Sequence, residues 1–202
     1  QLVIKPIDVT VTITEHGATV DYNGDEQTVT GYDVTSIQIG GQSTTLYTDA
    51  DFTFSGDSTV SGTNVGTYNM GLRPTDFANT NNNFANVTFV IVDGQLVINP
   101  IDVTVKIVGN SSTKVYDAQP HTVTGYEVTA IEIDGQSTTL YTVADFTFSG
   151  EATATQTNVG RKNMGLMASQ FENTNDNFAN VMFDVTDGYQ MVIVPGPITV
   201  TI

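Results

Sequence analysis

The chain has no cysteine, no tryptophan and few basic residues. Without cysteine, disulfides and thiolate chemistry are excluded, although secreted proteins also fold without disulfides, so no compartment follows from this absence. Six Lys and Arg stand against 22 Asp and Glu, which gives a net charge of -16. Nucleic acids and anionic membrane surfaces are bound through clustered positive charge. The composition therefore argues against both as partners.

Long hydrophobic runs are also missing from the sequence. No apolar stretch approaches the ~20 residues that a membrane-spanning helix needs, so we expect no membrane insertion by this chain. The sequence starts at Gln1, without an initiator methionine, and the segment 2–11 returns as 96–105 and, in degraded form, as 191–200. These features predict a fragment of a longer tandem array.

What the sequence does contain is one pattern that occurs twice. Residues 29–32 (Val-Thr-Gly-Tyr) return as 123–126, and residues 41–48 return unchanged as 135–142, both displaced by 94 residues. A constant period of this length predicts tandem domains. It also separates residues that the fold requires, which should occur in both copies, from residues that only one copy carries.

The repeat sets the predicted domain boundaries. We place the first β repeat at residues 6–99 and the second at 100–195, with 1–5 and 197–202 as flanking strands of the array. A repeat of this size is long enough to close a core without metal or disulfide. The last strand of the first repeat runs through Pro100 directly into the second, with no Gly/Ser linker. This junction predicts a short, stiff connection and an end-to-end stack.

Periodicity predicts the fold class. Ile7, Val9, Val11 and Ile13 alternate with polar residues, which is typical of a strand with one buried face. Gly40–Gly41 and Asp134–Gly135 predict hairpin turns, and Asp93–Gly94 predicts a hairpin between segments 87–92 and 95–98. Segments 73–79 and 167–173 have helical character. We therefore predict an all-β, mostly antiparallel fold of two immunoglobulin-like sandwich repeats, each with at most one short helix. The alternative is a β-grasp-like α+β repeat in which the helix lies across one sheet.

Aromatic residues occur as matched pairs in the two repeats. All ten Phe are paired in this way, which favours a role in the core. Tyr32 with Tyr126 and Tyr47 with Tyr141 are also paired. Buried tyrosines are the simpler interpretation, but shared exposed tyrosines would supply a ligand-binding surface. These four are our candidate ligand-binding residues.

A catalytic site is not indicated. His16 and His121 are not shared between the repeats, and their counterparts are Asn110 and Gln27. A histidine-based acid–base or metal site would therefore be restricted to one copy and incomplete. We predict a chain that is not an enzyme and needs no cofactor.

Calcium is the one metal for which the sequence offers oxygen ligands. The Asn-rich loop of the first repeat supplies them, with Asp76, Asn79, Asn81 and Asn83 as candidate ligands. The loop lacks the spacing and the glycine of an EF-hand. Asn-rich loops also bind their own backbone through their side chains, so calcium is the alternative interpretation here.

Several blocks together resemble a known family. Lys114–Asp117 followed by His121–Tyr126, the stretch Gly160–Leu166, and the run from Asn177-Phe178 to Asp187-Gly188 are similar to the MBG/YDG-type tandem repeats of large bacterial surface proteins. Such repeats occur in adhesin-like, cell-wall-anchored proteins, notably of gut Firmicutes. The first repeat departs from the Tyr-Asp pattern with Tyr22-Asn23-Gly24.

The resemblance implies a location and a role. It implies an extracellular, non-enzymatic module at the surface of a bacterium, which acts as a stalk or spacer for adhesion. The alternative is direct binding of host mucin, glycan or matrix protein by each repeat. The expected partners are the neighbouring repeats of the same polypeptide and, in the alternative, such a host molecule. The resemblance supplies no catalytic residues.

Overall fold

The computed structural model describes residues 5 and 7–196 and divides into two compact units, of which the first ends at Asn99 and the second begins at Pro100. Apart from Lys5, the predicted flanking strands at 1–5 and 197–202 lie outside the described residues. The chain is nearly all β, mostly antiparallel, in two repeats, which confirms the predicted class. None of the helices in the part that the structure describes is long and apolar enough to cross a membrane.

The first repeat consists of short strands and two 3₁₀ turns, at Asp49–Asp51 and Pro74–Asp76. Its strands are β1 (Asp8–Glu15), β2 (Ala18–Asp21), β3 (Gln27–Thr30), β4 (Tyr32–Ile39), β5 (Gln42–Ser43), β6 (Phe52–Phe54), β7 (Thr59–Gly62), β8 (Gly66–Asn69), β9 (Phe77–Asn79), β10 (Asn86–Val92) and β11 (Gln95–Asn99).

The second repeat follows the same order, with a 3₁₀ turn at Ala168–Gln170. Its strands are β12 (Ile101–Gly109), β13 (Ser111–Val115), β14 (His121–Thr124), β15 (Tyr126–Ile133), β16 (Gln136–Ser137), β17 (Phe146–Phe148), β18 (Thr153–Gln156), β19 (Gly160–Asn163), β20 (Phe171–Asn173), β21 (Phe178–Thr186) and β22 (Tyr189–Ile193).

Two main sheets build each repeat. In the first repeat their strand orders are β10-β1-β4-β5 and β2-β11-β8, and in the second they are β16-β15-β12-β21 and β13-β22-β19. Strand β1 is antiparallel to β4 but parallel to β10, and β11 is antiparallel to β8 but parallel to β2. The parallel pairs join the beginning of the repeat to its end, which local periodicity did not indicate.

The core forms where the inner faces of these sheets meet. Val9, Val11 and Ile13 of β1 are buried, as their alternation predicted, and they belong to one cluster with Leu96 and Ile98 of β11. Phenylalanines of the first repeat complete this cluster, and Phe52, Phe77, Phe84 and Phe89 are buried in it. In the second repeat the counterparts Phe146, Phe171 and Phe178 are also buried. Burial of each ring contributes roughly 1.5–3 kcal/mol to folding.

The predicted hairpins have different outcomes. Gly40 and Gly41 have φ values of 56° and 80° and connect β4 to β5, so this hairpin is confirmed. The hairpin predicted at Asp93–Gly94 is wrong, because β10 and β11 belong to different sheets. A Cβ at Gly94 would overlap the carbonyl oxygen of His16. The glycine is therefore required by the close approach of two backbones and not by a turn.

The predicted helical segments are shorter than a helix. Each contains only a three-residue 3₁₀ turn, Pro74–Asp76 in one repeat and Ala168–Gln170 in the other. Within residues 7–196, no α-helix lies across a sheet. The α+β alternative is wrong on this point, because the segment has too few residues before its strand begins at Phe77 or Phe171.

Candidate functional site

Tyr47 and Tyr141 lie in the core. Their exposed fractions are 0% and 1%. The Tyr47 hydroxyl lies 3.0 Å from the carbonyl oxygen of Asp51 and 3.1 Å from Oδ1 of Asn79, and it donates to this pair of acceptors. Burial, with the nearby Asp51 charge, raises the pKa of Tyr47 to about 12. This removes the exposure on which the candidacy of Tyr47 and Tyr141 as ligand-binding residues depended.

Tyr32 and Tyr126 are half-buried beside an open groove in their own repeats. The Tyr32 ring meets Phe54 and Phe77 edge-on, with ring centroids 5.0 and 5.3 Å apart. Its groove, of about 530 Å³, is also lined by Asp33 and Asp49. These two tyrosines are therefore the predicted ligand-binding residues that remain accessible.

The groove of the second repeat lies at the counterpart positions, with a volume of about 600 Å³. Tyr126, Glu127 and Phe146 line it, where the first repeat has Tyr32, Asp33 and Phe52. Val143 replaces Asp49 and is 63% exposed. The two grooves thus share an aromatic wall and one acidic residue, Asp33 or Glu127, but the first has a second acid at Asp49 where the second has an exposed valine.

The Asn-rich loop is closed by its own side chains. Asn79 donates from Nδ2 to the carbonyl oxygens of Asn81 (3.2 Å) and Phe84 (2.8 Å), and its Oδ1 accepts the Asn81 N–H at 3.0 Å. Asn81 donates to Oδ1 of Asp51 at 2.8 Å and accepts the N–H of Asn83 at 3.0 Å. The hydrogen bond from Asn81, followed by that from the Thr48 backbone, lowers the pKa of Asp51.

The proposed calcium ligands are therefore only partly brought together. Asn79 and Asn81 lie side by side, but the carboxylate of Asp76 accepts the N–H of Arg73 at 2.7 Å. Among the residues that the structure describes, no group of three His, Asp or Glu could hold a metal ion. The amide oxygens that would bind calcium already accept hydrogen bonds from Tyr47 and Asn83.

The second repeat contains the same loop network. Tyr141 lies 3.0 Å from both the carbonyl oxygen of Asp145 and Oδ1 of Asn173, and Asn175 donates to Oδ1 of Asp145 at 2.9 Å. Burial opposes ionisation of Asp145, but hydrogen bonds from Asn175 and Thr142 outweigh it and lower the pKa. A network that both copies keep with the same partners is part of the fold.

A buried carboxylate joins the sheets, and the sequence reasoning missed it. Glu15 is 4% exposed and accepts the backbone N–H groups of Leu72 at 2.6 Å and Gly94 at 2.7 Å. The counterpart of Glu15 is Gly109. In the second repeat Asp187 accepts the N–H groups of Gly165 and Leu166, at 3.1 and 3.0 Å. Glu15 itself gives no signal in the repeat pattern, because its counterpart is not acidic. The shared acid at Asp93 and Asp187 is the feature of the sequence that points to this region.

The two histidines have structural partners. Nδ1 of His16 lies 2.8 Å from the carbonyl oxygen of Thr30, and Nε2 lies 3.4 Å from Asp33. In the second repeat Asn110 donates to the carbonyl oxygen of Thr124, also at 2.8 Å. The hydrogen bond to Thr30, and then that to Asp33, raises the pKa of His16.

His121 belongs to a local pair. Its Nε2 lies 2.9 Å from the carboxylate of Asp117, which also accepts the Gln119 N–H. The contacts that the structure describes for the ring nitrogens of both histidines are thus with carboxylates and a backbone carbonyl oxygen.

Comparison with protein families agrees with the internal repeat. The family model described as the MBG domain matches residues 9–100 and again residues 103–202. The chain belongs to the MBG domain family. The MBG domain is a non-catalytic type of repeat module found in surface proteins. Searches of curated proteins and of solved structures returned no significant match. The two MBG repeats correspond to the two compact units of the structure.

Proposed function

We propose that the two MBG repeats are a spacer within a larger adhesin-like protein, outside the cell and on the wall of a bacterium such as a gut Firmicute. Here they hold a distal adhesive segment away from the cell wall. One observation carries this proposal: polar and aromatic residues that both repeats share form the same internal hydrogen-bond network in each copy. Tyr47, Asn79 and Asn81 form the loop network with Asp51, and their counterparts do the same.

Most of the strongly exposed apolar residues, by contrast, differ between the copies, whereas Leu46, at 68% exposed, is matched by Leu140. Val143, Met167 and Met182 are 63%, 58% and 60% exposed. Their counterparts in the first repeat are Asp49, Arg73 and Thr88. A binding surface used by every repeat would keep its exposed contacts and vary its supports. The exposed contacts at Val143, Met167 and Met182 are not kept, which favours a module that is repeated for its fold.

A display experiment tests the spacer role. The chain is inserted between a cell-surface anchor and a small binding head, and capture of the head by receptor-coated beads is measured. The matched control replaces the chain with a flexible Gly/Ser linker of the same number of residues. We expect higher capture with the repeats, because each folded repeat keeps a fixed distance between its own ends, whereas a random coil also populates compact conformations that leave the head near the surface. Equal capture with the linker would contradict the proposal.

Direct binding of mucin, glycan or matrix protein is the second candidate, and the paired grooves at Tyr32 and Tyr126 favour it. The chain is screened against each class at physiological salt, with and without Ca²⁺. Groove binding predicts saturation that is weakened in Y32F/Y126F, a variant that keeps the ring packing. V143D, which gives the second groove the acid of the first, separates apolar from polar recognition. Absence of saturable binding would remove this candidate.

A further inference from the structure

The parallel strand pairs have a geometry that resists stretching. In the first repeat β1 lies parallel to β10, with Asp8 opposite Asn86 and Thr14 opposite Val92. Strand β2 lies parallel to β11, from Ala18 opposite Leu96 to Asp21 opposite Asn99. The strands at the start of the repeat are thus paired, in the same direction, with the strands at its end.

These four strands form two continuous segments of the polypeptide that run side by side. Only His16 and Gly17 separate β1 from β2, and only Asp93 and Gly94 separate β10 from β11. Each segment therefore passes from one sheet into the other, and the two segments do so side by side. We call this pair of segments, residues 8–21 and 86–99, the terminal ribbon of the first repeat.

The crossing point of the terminal ribbon is held by a hydrogen bond from a backbone N–H to a buried side chain. Glu15 on one segment accepts the N–H of Gly94 on the other at 2.7 Å. Gly17 and Gly94 allow the close approach, because a Cβ on either would press against the opposite backbone. The ribbon is therefore continuous through the change of sheet.

The second repeat contains an equivalent ribbon. Strand β12 lies parallel to β21, from Ile101 opposite Phe178 to Val108 opposite Thr186. Strand β13 lies parallel to β22, from Ser111 opposite Tyr189 to Val115 opposite Ile193. Its crossing is also built on glycine, since a Cβ on Gly188 would overlap the backbone of Asn110.

Tension enters and leaves each repeat at opposite ends of its ribbon. In the first repeat the chain arrives at Asp8 and departs at Asn99, and β11 continues into β12 through Pro100 alone. Because the paired strands are parallel, pulling Asp8 and Asn99 apart slides one segment of the ribbon along the other. The hydrogen bonds of the registered pairs are then loaded together, whereas an antiparallel hairpin pulled at its open end loses them one at a time.

We infer that each terminal ribbon is a mechanical clamp, so that the repeats withstand tension along the chain. The clamp rests on the proposed spacer role for its purpose, since a spacer between a wall and an attached head is stretched whenever the head is pulled. Residues 22–85, which contain the remaining strands, connect the two segments of the ribbon in the sequence. They are released only after the ribbon separates.

Single-molecule pulling of the full chain from its ends is the first measurement. We expect two rupture events, each releasing roughly 260–290 Å of contour, which is the extended length of residues 8–99 at ~3.3–3.6 Å per residue less the ~45 Å that the folded ribbon spans. Forced unfolding reports the rate of crossing the barrier and not the equilibrium stability. Rupture without resolvable force peaks would overturn the inference.

Pulling direction is the matched control, and the absence of cysteine makes it simple. D8C/V92C places thiol handles at opposite ends of the β1–β10 pair, so force shears it. D8C/N86C places them on directly opposed residues at one end, so force unzips the same pair. All three positions are exposed, and handles are attached under reducing conditions. We expect the shear geometry to rupture at a several-fold higher force.

Equal rupture forces in the two geometries would refute the clamp, provided that both variants show the same thermal unfolding as the parent chain. If either variant unfolds more easily, T10C/V92C and T10C/T88C supply a second shear and unzip pair on exposed positions of the same strands. The display experiment tests the spacer role independently. A low shear force with efficient display would refute the clamp and leave the spacer intact.

Discussion

Replacing Gln190 with leucine should stabilise the second repeat. Gln190 is 0% exposed, and its Oε1 has no hydrogen-bond partner among the described residues. Its Nε2 donates to the carbonyl oxygen of Met191 at 3.1 Å. The counterpart in the first repeat is Leu96, which is 1% exposed and has the same place in its sheet. The molecule thus contains both versions of one core position.

The expected change in stability follows from the carbonyl oxygen and the NH₂ group of the Gln190 side chain. An unsatisfied buried acceptor costs about 1–3 kcal/mol, and loss of the bond to Met191 costs about 0.5–1.5 kcal/mol. Leucine also removes the polar group from the core and keeps a similar volume. We expect Gln190→Leu to stabilise the repeat by about 1 kcal/mol, which raises the Tm by roughly 4–8 °C for a domain of this size.

The neighbours of Gln190 limit this gain. Gln190 lies between Ser112 on β13 and Lys162 on β19, whereas Leu96 lies between Ala18 and Tyr68. Leucine at 190 would therefore have more polar neighbours than Leu96 has. The reciprocal change, Leu96→Gln, introduces an amide between apolar neighbours and should destabilise the first repeat by about 1–3 kcal/mol.

Hydrogen exchange measured by mass spectrometry is a suitable assay, because peptides from the two repeats are read separately in one chain. Gln190→Leu should slow exchange in the second repeat and leave the first unchanged. Gln136→Leu, at an exposed position of β16, is the control and should stay within about 0.5 kcal/mol. Faster or unchanged exchange in Gln190→Leu would refute the reasoning and would indicate that a buried donor, such as a water molecule, already satisfies Oε1.

Three further predictions concern the first repeat. His16→Asn, which copies Asn110, should remove a pH dependence of stability. Because the pKa of His16 is raised in the folded protein, its contribution to stability is full below about pH 6.5 and is lost as pH rises through the folded-state pKa. The difference between the thermal unfolding temperatures at pH 5 and pH 8 should therefore be smaller in the variant. Gly94→Ala should destabilise by about 3 kcal/mol in urea unfolding through overlap with the His16 backbone, whereas Gly196→Ala, with open space around it, should not. Tyr47→Phe should cost about 0.5–1.5 kcal/mol in the same assay, because the hydroxyl bonds to Asp51 and Asn79 are lost while Oδ1 of Asn79 still accepts the Asn81 N–H. A pH difference that survives in His16→Asn, or wild-type unfolding of either other variant, would contradict the corresponding contact.

The sequence predicted features that are determined locally. The alternation in β1 identified its buried face, and the positive φ at Gly40 and Gly41 was foreseen from the glycines themselves. The pairing of β1 with β10 could not be foreseen, because register between strands about 80 residues apart leaves no local periodicity. Asp93–Gly94 was misinterpreted for a related reason: a glycine required by a close backbone approach looks the same in sequence as one required by a turn.

The candidate site was predicted less well than the fold. Tyr47 and Tyr32 are equivalent as sequence signals, since both are shared, yet one is buried with its hydroxyl bonded and the other lines a groove. Only the path of the chain around Asp51 decides between them. Asn79 and Asn81 were correctly grouped, but their oxygens bind their own loop. Gln190 was detectable, because an amide replaces Leu96 within the repeat pattern.

The carboxylate at the strand crossing also determines how freely each repeat can drift in sequence. The first repeat holds two acids near this point, the buried Glu15 and the exposed Asp93. Asp187, the counterpart of Asp93, accepts the N–H of Leu166, which is the counterpart of the Leu72 N–H that Glu15 accepts. Loss of Glu15 would therefore leave the first repeat an acid at the position that holds this N–H in the second repeat. Loss of Asp187 would not leave the second repeat such an acid, because Gly109 stands where the first repeat has its glutamate.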